Sequence, residues 1–314
     1  MLLIGPHDMH IAHFKADLHA SFEMSDLGHL HHYLGIQFMQ VDVGMALCQT
    51  KYIDILLQRF GLEDCKPIAT SMETGFRLSL HDSGDAFDVV LYQQAIEWLI
   101  YLCITRPDIQ FVVSEMSRFM HCPGVKHWQT VKRIFCYSSG ARILGLFYPK
   151  GGSLPPDLHA FSDSDWAGCY DTRVSTSGFC FMLGSSCISW LRKKQPTMAT
   201  SSCEAEYREA FTATVECVRL ICLMANLGVG QSSSTTIFTD SQSALAVERN
   251  PLFHALTKHI EVHYHYVRER FSTGEISLAY VPRHENIEDF FTKALSRKTF
   301  EAFRKALRLL PFVD

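Results

Sequence analysis

Three short stretches carry carboxylates at the ends of apolar runs: Phe161-Ser-Asp163-Ser-Asp165-Trp166, Ile237-Phe-Thr-Asp240-Ser-Gln-Ser243 and Val281-Pro-Arg-His284-Glu-Asn286-Ile-Glu-Asp289. A fourth, Ser201-Ser-Cys-Glu204-Ala-Glu206-Tyr, opens what the apolar periodicity predicts to be a long helix. Carboxylates delivered by separate elements, with no cysteine set or Schiff-base lysine beside them, suit a pair of hard, oxygen-seeking cations such as Mg²⁺. The chemistry such a pair serves is phosphodiester hydrolysis. Taken singly, each acid has a structural explanation as well. Acids in a first helical turn complement the helix dipole for roughly 0.3–1 kcal/mol, and Asp240-Ser-Gln-Ser243 can cap a following helix. It is the coincidence of all four that points to a metal centre. On the helix, Glu204 and Glu206 project about 160° apart, so only one of them can join, and spacing leaves both open.

The elements that must position these acids follow from the pattern. Asp163 ends a predicted strand over 158–162 and Asp240 one over 235–239, so both carboxylates emerge at strand carboxyl ends, where open α/β sheets build their sites. The full order of the second half is strand 158–162, strand 178–183, strand 187–191, a helix over 203–227, strand 235–239, short helices, strand 275–281 and a last helix from 286. That order predicts a mixed sheet with helices packed on it. Upstream, the sequence predicts a helix over 10–24, a hairpin of 33–39 and 45–49, a helix over 51–60 and a loop over 70–88. Helices over 92–120 and 126–137 follow, the former broken at Arg106-Pro107. This half is predicted to be mostly helical with one hairpin. Between the halves, Lys150-Gly-Gly-Ser-Leu-Pro-Pro156 opposes any regular element and is predicted to be a linker, giving domains 1–149 and 157–314.

The net charge of −4 over 314 residues gives no global basic field, so contact with nucleic acid must come from local clusters, of which Arg192-Lys-Lys194 is the most compact. The eleven cysteines are scattered singly without a C-x-x-C pair, which predicts reduced thiols in the cytoplasm or nucleus. The longest apolar stretches, such as 98–104, fall far short of the roughly 20 residues that span a bilayer, so no membrane partner is expected. His259 and His263 are one helical turn apart, but no Glu follows His259 and no third ligand is evident, so zinc is not expected. Trp166 is read as a packing residue.

Residues 157 to 310 resemble the ribonuclease H domain of copia-type retrotransposon polyproteins. The matching stretches are Ser162-Asp-Ser-Asp-Trp-Ala-Gly168, Ser175-Thr-Ser-Gly178, Ile188 to Pro196, Ser201-Ser-Cys-Glu-Ala-Glu-Tyr207, Thr239-Asp-Ser-Gln-Ser-Ala-Leu245, Thr257-Lys-His-Ile-Glu261, and Val281-Pro282 followed by Asp289-Phe-Phe-Thr-Lys293. Residues 1 to 150 resemble the part of the same polyprotein's reverse transcriptase beyond its catalytic centre, through Asp26-Leu-Gly28, Tyr33-Leu-Gly-Ile36, Asp64-Cys-Lys-Pro67, Thr105-Arg-Pro-Asp-Ile109 and His127-Trp128. The resemblance implies an α/β fold, a ribonuclease H-like mixed sheet flanked by helices, preceded by a mostly helical remnant of reverse transcriptase palm, thumb and connection. It implies hydrolysis of the RNA strand of an RNA·DNA hybrid by two Mg²⁺ ions, or Mn²⁺, held on Asp163, Asp240, Asp289 and a helix glutamate. Family spacing favours Glu206, with Glu204 as the alternative.

His284 falls where related enzymes keep a mobile histidine that assists proton movement or product release. Arg192, Lys193 and Lys194 are expected on the phosphate backbone, and Ser241, Gln242 and Ser243 are expected to reach 2′-hydroxyls. The polymerase's own metal site would lie before Leu2-Leu-Ile-Gly5, so DNA synthesis is not expected. The alternative to a nuclease is a catalytically inactive remnant, either nucleic-acid-binding or degenerate. The missing polymerase site and Glu97, which stands where glycine is usual, favour that alternative; a further departure is Glu288, which precedes Asp289 where a small residue is usual. Glu288 is expected either to perturb metal binding or to point to solvent.

Overall fold

The computed structural model describes residues 3, 8–75, 78–80, 84–151, 157–231, 233–242 and 261–312. In the first half, helix α1 (Asp8–Ser21) leads into strands β1 (His32–Tyr33), β2 (Ile36–Val41) and β3 (Gly44–Cys48). Helices α2 (Thr50–Arg59), α3 (Val89–Leu102), α4 (Gln110–Ser117) and α5 (Val125–Gly140) follow, and then strand β4 (Leu144–Pro149). Asp88 caps α3 by accepting from the Val90 and Leu91 amides. α3 has already ended at Leu102, and Pro107, whose fixed φ suits a first helical position, starts a single 3₁₀ turn. The expected hairpin is β2–β3, but it belongs to a larger antiparallel sheet. β4 pairs with β3, and the chain's last strand, β10 (Leu309–Pro311), returns to pair with β4. Leu144-Gly-Leu-Phe-Tyr-Pro has no alternation to reveal it as a strand, because its first four residues are all buried.

The second half supplies β5 (Leu158–Asp165), β6 (Thr176–Leu183), β7 (Ser186–Lys194), helix α6 (Ser202–Asn226), β8 (Thr235–Thr239), helix α7 (Glu261–Ser272) and β9 (Ile276–Tyr280). A four-residue helix α8 (Asp289–Thr292) and α9 (Arg297–Ala306) complete it. The sheet has the order β7-β6-β5-β8-β9, antiparallel through β5, β6 and β7 and parallel through β5, β8 and β9. This is the mixed α/β sheet flanked by helices that the ribonuclease H resemblance implies.

Alternation along β6 shows how the halves are joined. Phe179 and Phe181 face α6 in a cluster with Tyr207, Cys217 and Ile237. Cys180 and Met182 face the other way, into a cluster that also holds Leu99, Val112 and Phe135 of the first half together with Phe290 and Phe291. The first half thus supplies the second helical layer of the second sheet. The expected boundary at 150–156 falls between the two sheets, with 152–156 outside the described residues, while the core runs across it and α9 and β10 pack on the first half.

Candidate metal centre

β5 and β8 are parallel neighbours in a register that pairs Ser162 with Thr239, so the next residue on each strand, Asp163 and Asp240, stand side by side at the carboxyl ends. Ser201 caps α6 by accepting from the Glu204 amide, which fixes where the helix starts and brings Glu206 over the same sheet end. Asp289 opens α8. The loop before it is held by Asn286, which is fully buried, donates to the Ser162 carbonyl at 3.2 Å and accepts from the Glu288 amide. Two groups of carboxylates result, each with its oxygens within 4.8 Å of one another: Asp163, Glu206 and Asp240, and Asp163, Glu288 and Asp289. Asp163 belongs to both. Lys293, one turn beyond Asp289, donates from Nζ to Asp163 Oδ2 at 2.7 Å and to Asp289 Oδ1.

The electrostatics are those of crowded acids. Burial first, and then Asp163 and Asp240, push the Glu206 carboxyl up to about 8. Burial and Asp163 raise Asp240 as well. Asp289 is raised by burial despite the Lys293 hydrogen bond. Beneath these acids, Glu209 and Glu288 are nearly inaccessible and are pushed well above the carboxylate range by burial, Asp163 adding to both. Hard oxygen donors on separate rigid elements, carrying more negative charge than they can neutralise, fit Mg²⁺ or Mn²⁺ by their chemistry.

A family model described as reverse transcriptase (RNA-dependent DNA polymerase) matches residues 1–74. The retrovirus-related Pol polyprotein of transposon RE2 from Arabidopsis thaliana is 36% identical over 310 residues, 99% of this chain and 21% of that protein. The corresponding polyprotein of transposon RE1 from the same plant is 38% identical over 303 residues, 96% of this chain and 20% of that protein. The chain belongs to the copia-type retrotransposon Pol family. It spans about a fifth of the length of these relatives. The N-terminal RNase H domain of a Mycobacterium tuberculosis protein superposes on 48% of this chain and 99% of its own, at 15% identity and a TM-score of 0.30, too loosely to add to the topology above.

Other site residues expected of this Pol-family chain are distributed unequally. Glu204 is committed elsewhere: it accepts from the Thr200 amide and hydroxyl and is paired with Arg208, while Glu206 is the helix glutamate that faces Asp163 and Asp240. His284 is largely exposed, lies 3.4 Å from Glu285, and is not in either carboxylate group. Arg192 corrects the expectation of a phosphate contact. It is buried, donates to Ser114 Oγ at 2.7 Å and to Glu115, and stacks on Phe111 at 4.8 Å, so it joins β7 to α4. Lys193 is exposed, whereas Lys194 is half-buried and donates to Cys169 Sγ. Ser241 is buried, Gln242 is exposed, and Ser243 lies outside the described residues, as does His259. His263 stacks on Phe211. Trp166, read as a packing residue, is half exposed and tethered through Nε1 to the Ala199 carbonyl.

Glu288 does not point to solvent. It is completely buried, with one oxygen accepting from the Thr292 hydroxyl at 3.1 Å. Sequence reasoning gave Lys293 and Asn286 no role. An acid and a lysine four residues apart were a readable signal for Lys293. Nothing local marked Asn286, whose partner is more than a hundred residues away.

Proposed function

We propose that the second half is a ribonuclease H-type endonuclease, cleaving the RNA strand of RNA·DNA hybrids with two divalent ions, Mg²⁺ or Mn²⁺, held by Asp163, Glu206, Asp240 and Asp289. The observation that carries this reading is the convergence of four carboxylates from β5, α6, β8 and α8 on one sheet end. Ions bound there would polarise the scissile phosphate and lower the pKa of an attacking water. Asp163, shared by both carboxylate groups, would bridge the two positions. Glu206, raised to about 8, must give up its proton to act as a ligand. Lys193 and Gln242, both exposed, would meet a phosphate and a 2′-hydroxyl of the hybrid. His284, in solvent on the loop before Asp289, is free to carry protons between the site and bulk water. All eleven cysteines are free, and no helix among the described residues is long and apolar enough to cross a membrane.

A second reading, a nucleic-acid-binding remnant without catalysis, is favoured by Glu209 and Glu288, which add buried acid beside the centre. Cleavage of a labelled RNA·DNA hybrid by the purified chain with Mg²⁺ separates the two. The nuclease reading expects RNA-strand cleavage that Asp240→Asn abolishes. It fails if a chain shown to be folded leaves the hybrid intact, or if the variant cleaves as well as the parent.

A further inference from the structure

The two carboxylate groups share Asp163 but differ in what neutralises them. In the group of Asp163, Glu288 and Asp289, the Lys293 ammonium already sits between two carboxylates, bonded to both. In the group of Asp163, Glu206 and Asp240, no ion pair among the described residues reaches Glu206 or Asp240. The first group also contains an unmet acceptor: Glu288 is completely buried, and among the described residues its Oε1 has no hydrogen-bond partner and its other oxygen is bonded only to Thr292. An ammonium and a divalent ion repel each other strongly at contact distance in so buried a place, so both cannot occupy one position. Lys293 has the means to leave. Its side chain is about a quarter exposed, it follows the end of the short helix α8, and its four-carbon stem can carry the charge into water.

We propose that Lys293 is an internal cation holding the Asp163–Asp289 position in the metal-free protein, so that divalent ions fill the two positions in sequence. The Asp163–Glu206–Asp240 position fills first. The Asp163–Asp289 position fills only as the ammonium swings out, and its apparent affinity carries the cost of breaking the Lys293 pairs. Lys293 is thus a positioning residue that keeps the second carboxylate group together until an ion replaces it. This inference rests on the reading that the four carboxylates hold divalent ions.

The test is Mn²⁺ binding to the full chain by isothermal titration calorimetry, with free Mn²⁺ followed by electron paramagnetic resonance, in the parent and in Lys293→Met. The parent should bind one ion and then a second at least about tenfold more weakly. The variant, with a neutral side chain of similar length, should bind its second ion about tenfold more tightly than the parent. Two ions bound with affinities the variant leaves unchanged, or a second ion weakened in it, would overturn the role of Lys293 while leaving the metal reading intact. Binding of no ion by the parent would overturn both.

Should Lys293→Met fail to fold, the parent itself is decisive. Acetylation of Lys293, read by mass spectrometry, should be suppressed without Mn²⁺ and rise over the concentrations at which the second ion binds. Labelling indifferent to Mn²⁺ would sink the proposal.

Discussion

Two buried charge clusters of this protein have opposite logic. In the first half, Arg106 is completely inaccessible. It donates from Nε and Nη2 to the two Asp108 oxygens at 2.8 and 2.6 Å and from Nη1 to the Ala141 carbonyl at 3.0 Å, while Tyr137 donates to Asp108. One positive and one negative charge close on each other with their hydrogen bonds met. At the sheet end of the second half, Asp163, Glu206, Asp240, Glu288 and Asp289 gather around the single ammonium of Lys293. A cluster that closes on itself holds a fold together. One that keeps a surplus of one sign is organised to take a ligand of the other, and the surplus here is carboxylate.

The comparison breaks most easily at Arg106. Arg106→Met leaves Asp108 buried and unpaired and should cost about 3–5 kcal/mol, read as a shift in the denaturant midpoint with the slope unchanged. Neutralising an acid of the open cluster should do the reverse: Asp240→Asn should leave the metal-free protein as stable as the parent or more so, since burial and Asp163 already raise Asp240. If both substitutions destabilise alike, the two clusters are the same kind of structure and the contrast is false.

A smaller effect, spread over pH, sharpens the same point. Glu206 is raised from 4.5 to about 8 in the folded chain. Between these values the unfolded chain releases this proton and the folded chain keeps it, so stability without divalent ions should fall as pH rises, by up to about 1.4 kcal/mol per pH unit. Asp240, Glu209, Glu288 and Asp289 shift in the same direction. Glu115 opposes them: burial pushes it up, but Arg192 and Arg118 hold it below the usual range, so its contribution is complete once the pH exceeds 4.5. Thermal melts from pH 5 to 8 check the slope, and Mg²⁺ should flatten it, because bound carboxylates have released their protons. Stability that is flat or rising across this window without Mg²⁺ would contradict the surplus of acid.

How much of this was legible in the chain depended on how local the signal was. Strands β5, β6, β7, β8 and β9, helix α6 and the positions of Asp163 and Asp240 follow from alternation and from acids at strand ends, because each is a property of a few consecutive residues. β4 and β10 were missed, the one for want of alternation in an all-buried run and the other because three residues carry no period. Arg192 was misread because a basic turn looks the same whether it faces phosphate or Glu115, and Glu115 lies 77 residues away. Choosing between Glu204 and Glu206 needed the family's spacing before the structure supplied the geometry. Thr200 and Arg208, which occupy Glu204, are each only four residues from it and were readable in principle.

The finest test concerns one glycine. Gly178 pairs with Asp163 across β5 and β6, and a Cβ there would lie 1.7 Å from Glu288 Oε1, 2.8 Å from its Cδ and 3.2 Å from Thr292 Cγ2. Glu288 has little room to yield, being completely buried, so Gly178→Ala should cost about 1–3 kcal/mol through overpacking. Glu288→Ala removes the obstruction, and because Glu288 is surplus acid its loss should cost far less than that of Arg106. The gain from deleting a buried carboxyl offsets the small cavity. The double variant should then be more stable than the sum of the singles by about 0.5–3 kcal/mol, the coupling of two groups in contact. Chemical denaturation of the four proteins gives that number directly. If Glu288→Ala alone costs as much as Arg106→Met, Glu288 is a structural member of the kind found around Arg106, and the boundary between the closed and the open cluster must be redrawn to leave it outside the metal centre.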